Sequence, residues 1–128
     1  MGSIQLRVEP EFEELRHVRR TLDAWLEGNG MSEPPRAAFV FAAHEALANA
    51  IQHSGSTNLV TVRAQTAGGD IEIEISDDGN WKVPDAAPNE ERGRGLPLIR
   101  LLVPESTVSS GVSGTTVRLN HLTPDPTR

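Results

Sequence analysis

A chain of 128 residues, 37% hydrophobic and 23% charged, fits one domain that is large enough to bury a core and too small for two ordinary ones. Zero cysteines exclude disulfides, thiolate metal sites and cysteine nucleophiles. A formal net charge of -6 removes the attraction that dominates nucleic-acid binding, and no apolar run approaches the ~20 residues that span a bilayer, so the expectation is a cytoplasmic protein bound neither to nucleic acid nor to a membrane.

The start shows no basic segment followed by an apolar one, so no signal peptide is expected. Leu6 stands where N-myristoylation wants Ser or Thr, and residues 1–3 fit a cloning remnant. Ile4, Leu6 and Val8 alternate with Gln5 and Arg7, which predicts a half-buried strand over Ser3 to Val8. Pro10 then opens a helix over Glu11 to Glu27, with Phe12, Leu15, Val18, Leu22, Trp25 and Leu26 recurring at threes and fours. Glu27-Gly28-Asn29-Gly30 ends it, and Ser32-Glu33-Pro34-Pro35 leads into the next helix.

The longest helical pattern is Arg36 to Ser54. At roughly 100° per residue, Val40, His44, Leu47 and Ile51 share an apolar face, while Glu45, Asn49 and Gln52 fall nearly opposite, with His53 beside them. That polar side is otherwise lined by Ala38, Ala42 and Ala46 rather than by the lysines and carboxylates of a solvated face, so Glu45 and Asn49 are expected to face a pocket. On the apolar face His44 reads as a packed, hydrogen-bonded residue, and His53 as support for the helix C-terminus. The four histidines are scattered, which argues against a zinc site.

Two strands follow, Leu59 to Gln65 and Asp70 to Asp77, joined through Thr66-Ala67-Gly68-Gly69 as a hairpin. Asp77 shares the parity of Ile71, Ile73 and Ile75, so in register it ends the strand on the helix-facing side; a bulge or an early strand end would turn it outward. Asp78 reads as a turn residue. Gly79 to Glu91 has no periodicity and reads as a long loop. Arg92-Gly93-Arg94-Gly95 leads into a short helix over Leu96 to Val103, with Pro97 in its first turn and Pro104 closing it. Glycines opening a helix can cradle phosphate through bare backbone N–H groups and the helix dipole. Ser106 to Ser110 and Thr115 to Leu122 form a last hairpin, and 124–128 is a polar tail to what reads as one domain over 1–128.

Singly, these features are common: a Glu and an Asn four apart mark many solvated helices, and Asp-x-Gly marks many turns. In order, Glu45-x-x-x-Asn49 on a helix, Asp77-Asp78-Gly79 closing a strand, an irregular loop, Gly93-Arg94-Gly95-Leu96 opening a helix and Gly114-Thr115-Thr116-Val117 on a late strand resemble the ATP-binding fold shared by gyrase-type ATPases, heat-shock chaperones and sensor histidine kinases. The small size, the strand-helix start and the phrase Asn49-Ala50-Ile51-Gln52-His53 look more narrowly like the bacterial anti-sigma-factor serine/threonine kinases. The resemblance covers nearly the whole chain.

It implies an α+β fold of the Bergerat type, a two-layer α/β sandwich with about three helices on one face of a mixed, mostly antiparallel sheet, and with ATP held between. By that resemblance Asn49 would coordinate Mg²⁺ on the phosphates and Asp77 would accept the adenine amino hydrogen. Gly79 would let the backbone approach the base, and Thr115 would lie near Asp77 beneath it. Gly93, Arg94, Gly95 and Leu96 at the helix start would hold the phosphates. Glu45 would be the general base, although its spacing alone equally describes a solvated carboxylate. Arg92 or Arg94 would offset phosphate charge or simply solubilise the loop. Trp81 stands where the wider family carries a second glycine. The function implied is a regulatory kinase that phosphorylates Ser or Thr on an anti-sigma-factor antagonist and sequesters a sigma factor, in a chain that related kinases suggest could pair as a homodimer. The alternatives are an ATP-binding regulatory module without catalysis, alone or within a larger phosphatase-kinase protein, and an ATPase in which Glu45 activates water.

Overall fold

Alternation along Ser3–Val8 (β1) places Ile4, Leu6 and Val8 toward the protein and Ser3, Gln5 and Arg7 toward solvent. β1 is the edge of a five-stranded sheet in a computed structural model that describes residues 2–53, 59–77, 95–111 and 114–122. The other strands are Val60–Ala67 (β2), Asp70–Asp77 (β3), Ser106–Gly111 (β4) and Gly114–His121 (β5), in the order β1-β2-β3-β5-β4. All four pairings are antiparallel. Three helices complete the described residues: Glu14–Gly28 (α1), Pro35–His53 (α2) and Gly95–Leu102 (α3). The architecture is thus α+β, as the motif order implied. None of these helices is long and apolar enough to cross a membrane.

Local chemistry explains most element ends. The β2–β3 hairpin turns on two residues, Gly68 and Gly69, with φ of 61° and 90°, a conformation open to two glycines and strained for side-chain-bearing residues. At the end of α1, Gly30 has φ 89°. Its N–H bonds the Glu27 carbonyl at 3.0 Å, and the Met31 N–H bonds the Leu26 carbonyl at 3.0 Å. These are the two bonds of a Schellman cap, completed by burial of both Met31 and Leu26. The start of α1 departs from the expected Glu11. Residues 11–13 form a tight turn in which Glu14 N–H reaches the Glu11 carbonyl and Leu15 N–H the Phe12 carbonyl, and this carries Phe12 out to 57% exposure.

α2 lies across β2, β3 and β5, with α1 and α3 packed on its flanks. Its buried face is Phe39, Ala42, Ala43, Ala46, Leu47 and Ala50. This corrects the expectation that the alanines line an open polar side: Ala42 and Ala46 are core, because a helix enclosed by a sheet and two helices can approach them closely only through methyl-sized side chains. Val40, His44 and Ile51 are half-buried on its flanks. Facing α2 across the interface are Val60, Val62 and Ala64 of β2, Ile71, Ile73 and Ile75 of β3, and Val117 and Leu119 of β5, all buried. α3 adds Ile99, and Val103 follows it.

The opposite sheet face is polar. Glu74 bridges its direct cross-strand partners, Arg118 at 3.0 Å and Arg63 at 3.7 Å, and the Gln65 amide donates to Glu72 at 2.9 Å. Between the helices, Arg36 joins α1 to the start of α2. Its guanidinium pairs with Asp23 at 3.0 Å and Glu33 at 3.1 Å and donates to the Met31 carbonyl at 3.0 Å.

Candidate functional site

Three elements deliver their chemistry to one end of the sandwich. The ring of Phe39, near the start of α2, meets that of His121, the last residue of β5, edge-on at 6.0 Å, and His121 pairs with Ile71 near the start of β3. From that shared end α2 climbs about 15 Å to Asn49 while β3 climbs about 20 Å to Asp77. Asn49 and Asp77 therefore approach the same far end. Leu102 and Val103, at the end of α3, share a cavity of about 360 Å³ with Pro35, Phe39 and His121. The end of α3 thus lies beside the start of α2.

Asp77 keeps the isoleucine register and is only 8% exposed, so the outward bulge does not occur. Its direct partner on β5 is Thr115, 1% exposed. They are the two polar residues among the buried side chains of the described residues, and a carboxylate this far from water is sustained only in hydrogen-bonding surroundings. Asn49 is half-buried, yet its Nδ2 is shut from solvent without a hydrogen-bond partner. Because the amide can flip, it offers either a donor or an oxygen at that point. Gly95 and Leu96 are the first two residues of α3. Gly79, Gly93 and Arg94, together with Asp78, Trp81 and Arg92, lie outside the described residues.

Glu45, one turn before Asn49, is half-buried and lines a groove of about 350 Å³ between α1 and α2; it shares that groove with His44, which was expected nearly opposite, and Asn49 is not among the lining residues, because the approach of α1 covers the flank between the two faces. Arg19 and Asp23 of α1, Glu33 of the connection, and Phe41 and His44 of α2 line it too. Sequence reasoning missed this groove. Its signal was Phe41, an aromatic on the outer side of an alanine-rich helix, which stands 51% exposed. His44 was expected to be packed and hydrogen-bonded. It is packed, with the Phe41 ring at 6.4 Å, but its Nδ1 is buried without a partner. Burial first, and the Arg19 charge second, hold its pKa below the ordinary 6.5, against an upward pull from Glu45. The imidazole is therefore neutral at pH 7.

A family model described as the histidine kinase-like ATPase domain matches residues 8–121. Among solved structures, one of the RsbU and RsbW domains of Rv1364c from Mycobacterium tuberculosis is similar with a TM-score of 0.78 and 27% identity, over 94% of this chain and 32% of that one. The present chain thus spans about a third of that structure's length. The histidine kinase domain of a blue-light activated histidine kinase from Erythrobacter litoralis EL346 gives a TM-score of 0.59 at 20% identity, over 88% of this chain and 60% of that one. A second structure of that kinase gives 0.57 at 22% identity, over 82% and 40%. These last two likenesses speak to the fold.

Proposed function

The chain belongs to the histidine kinase-like ATPase domain family, and from that premise we propose that it is an ATP- and Mg²⁺-dependent regulatory serine/threonine kinase of the anti-sigma-factor type. In this reading it phosphorylates an anti-sigma-factor antagonist and, in the other arm of the switch, sequesters a sigma factor in the cytoplasm. The observation that carries the reading is the convergence at one end of the sandwich of a buried carboxylate, Asp77, beside Thr115, and a buried amide atom on Asn49 that no described protein group satisfies. Such a pair fits a ligand with an amino hydrogen at one point and oxygens or a hydrated cation at another. The likeness to the RsbU–RsbW structure supports the anti-sigma branch of the family.

Asp77 would accept the adenine amino hydrogen, with Thr115 beneath the base and Gly79 in the role that the resemblance gives it. Gly93, Arg94, Gly95 and Leu96 would hold the phosphates. Asn49 would contribute one oxygen to Mg²⁺, whose chemistry favours water and phosphate for the rest of its coordination. ATP supplies the phosphoryl group and leaves as ADP. Glu45 takes the acceptor hydroxyl proton as that oxygen bonds to phosphorus; positioning and charge stabilisation do the rest.

Calorimetry with ATP and Mg²⁺ is expected to give binding that weakens at least about tenfold in Asp77→Asn. Transfer from labelled ATP to the cognate antagonist is expected to drop by about 10²-fold or more in Glu45→Ala. Unchanged transfer by Glu45→Ala, or none by the wild type, would sink the kinase reading. A second reading, an ATP-binding regulatory module without transfer inside a longer phosphatase-kinase protein, is favoured by the partial coverage of the RsbU–RsbW chain. Binding without transfer distinguishes it, and phosphate release without a protein acceptor identifies a simple ATPase.

A further inference from the structure

The α1–α2 groove is asymmetric in its charges. Two of its carboxylates, Asp23 and Glu33, are held by Arg36 at 3.0 and 3.1 Å. Glu45 makes no ion pair or hydrogen bond among the described residues, and the same holds for Arg19 across the groove. Between them on the α2 wall stands His44, half-buried, with Phe41 against its ring and Nδ1 out of reach of water and of any protein partner.

A neutral imidazole tolerates that setting at the cost of one unmade hydrogen bond. A cationic one would bury a second N–H next to a guanidinium and needs an acceptor there. From α1 it faces Arg19, which repels it, and Asp23, already engaged by Arg36; from the connection it faces Glu33, engaged likewise. Glu45, its neighbour on α2, is the carboxylate left to receive the charge. Pairing with His44 would hold Glu45 where it lines the groove and neutralise it.

We propose that His44 is a positioning residue for Glu45: the ring and the carboxylate share one wall of the α1–α2 groove, and the charge state of the ring decides whether the carboxylate is available to an acceptor hydroxyl or held by its own neighbour. This rests on the reading of Glu45 as the base. Burial and Arg19 bias the ring to the neutral form, so the site is open at pH 7 and closes on acidification below the ordinary histidine range.

The test has two arms. In the ATP-free protein, imidazole NMR follows the titration of His44 in the wild type and in Glu45→Gln, with a shift of the midpoint to lower pH expected when the carboxylate is removed. In the transfer assay, the acid limb of kcat/KM is expected to coincide with the wild-type His44 midpoint and to move to lower pH in His44→Gln. A His44 midpoint indifferent to Glu45→Gln overturns the proposal whether or not transfer occurs, as does an acid limb unmoved by His44→Gln. Absence of transfer at every pH overturns the kinase reading instead and leaves the pairing to be decided by the NMR arm.

Discussion

At Asn49 a buried amide nitrogen has no partner among the described residues, a state that costs about 1–3 kcal/mol in a folded protein. A ligand that supplies the missing partner removes that cost. Stability and binding should therefore respond to substitution in opposite directions. Asn49→Leu, close in volume, is expected to leave the apo-protein's Tm unchanged or raised while abolishing the rise in Tm that ATP and Mg²⁺ give the wild type. A thermal melt with and without nucleotide reads both. A large loss of apo stability would instead assign Asn49 to the scaffold. Asp77 differs in kind, since its place at the end of β3 beside Thr115 follows from strand register, and the polar ends of two core strands are spent on it.

Among the elements, α2 is the one the others serve. Its small side chains let the sheet approach from one side while α1 and α3 close on its flanks, which leaves Ala46, fully buried, no room to grow. Ala46→Leu adds three carbons to a closed contact and is expected to cost about 1–3 kcal/mol, read as a lower midpoint in urea with an unchanged m-value. A neutral result would mean that a flanking helix gives way more easily than the packing implies. The same enclosure explains why Glu45 and Asn49 are half-buried rather than solvated. They sit where the sheet-facing side of α2 passes over to its outer side.

For the whole molecule, the helices cover one face of the sheet, and the other remains a polar ladder of Arg63, Glu74 and Arg118. Exposed pairs of that kind contribute little each, so the pH response of folding depends more on groups whose surroundings change. His44 is such a group. Its folded pKa lies below the ordinary 6.5 of the unfolded chain, so on acidification the unfolded state takes up its proton first and stability falls. The contribution is full above about pH 6.5 and is lost as pH drops toward the folded-state value. Chemical denaturation between pH 8 and 5 is expected to show this decline in the wild type and a flatter profile in His44→Gln; equal slopes would show that His44 does not carry it.

The element order, a glycine-containing hairpin between the second and third strands, a helix stop within Glu27 to Gly30 and the parity of Asp77 were legible in the chain, because each depends on neighbours a few residues away or on a strict two-residue alternation; the turn itself is shorter than expected, Gly68-Gly69 rather than Thr66 to Gly69, because β2 runs on to Ala67. The ordered motifs were enough to point to the histidine kinase-like ATPase family, which the family match over residues 8–121 bears out. The face that α2 buries was not legible. Helical periodicity separates apolar from polar sides, but alanine belongs to neither, and only the approach of β2, β3, β5, α1 and α3 made Ala42, Ala46 and Ala50 the core. The groove beside Glu45, and the unpaired nitrogen of His44 within it, exist because two helices far from each other's local influence meet there with Arg36 already committed to Asp23 and Glu33. Those are consequences of packing, and no spacing along one helix contains them.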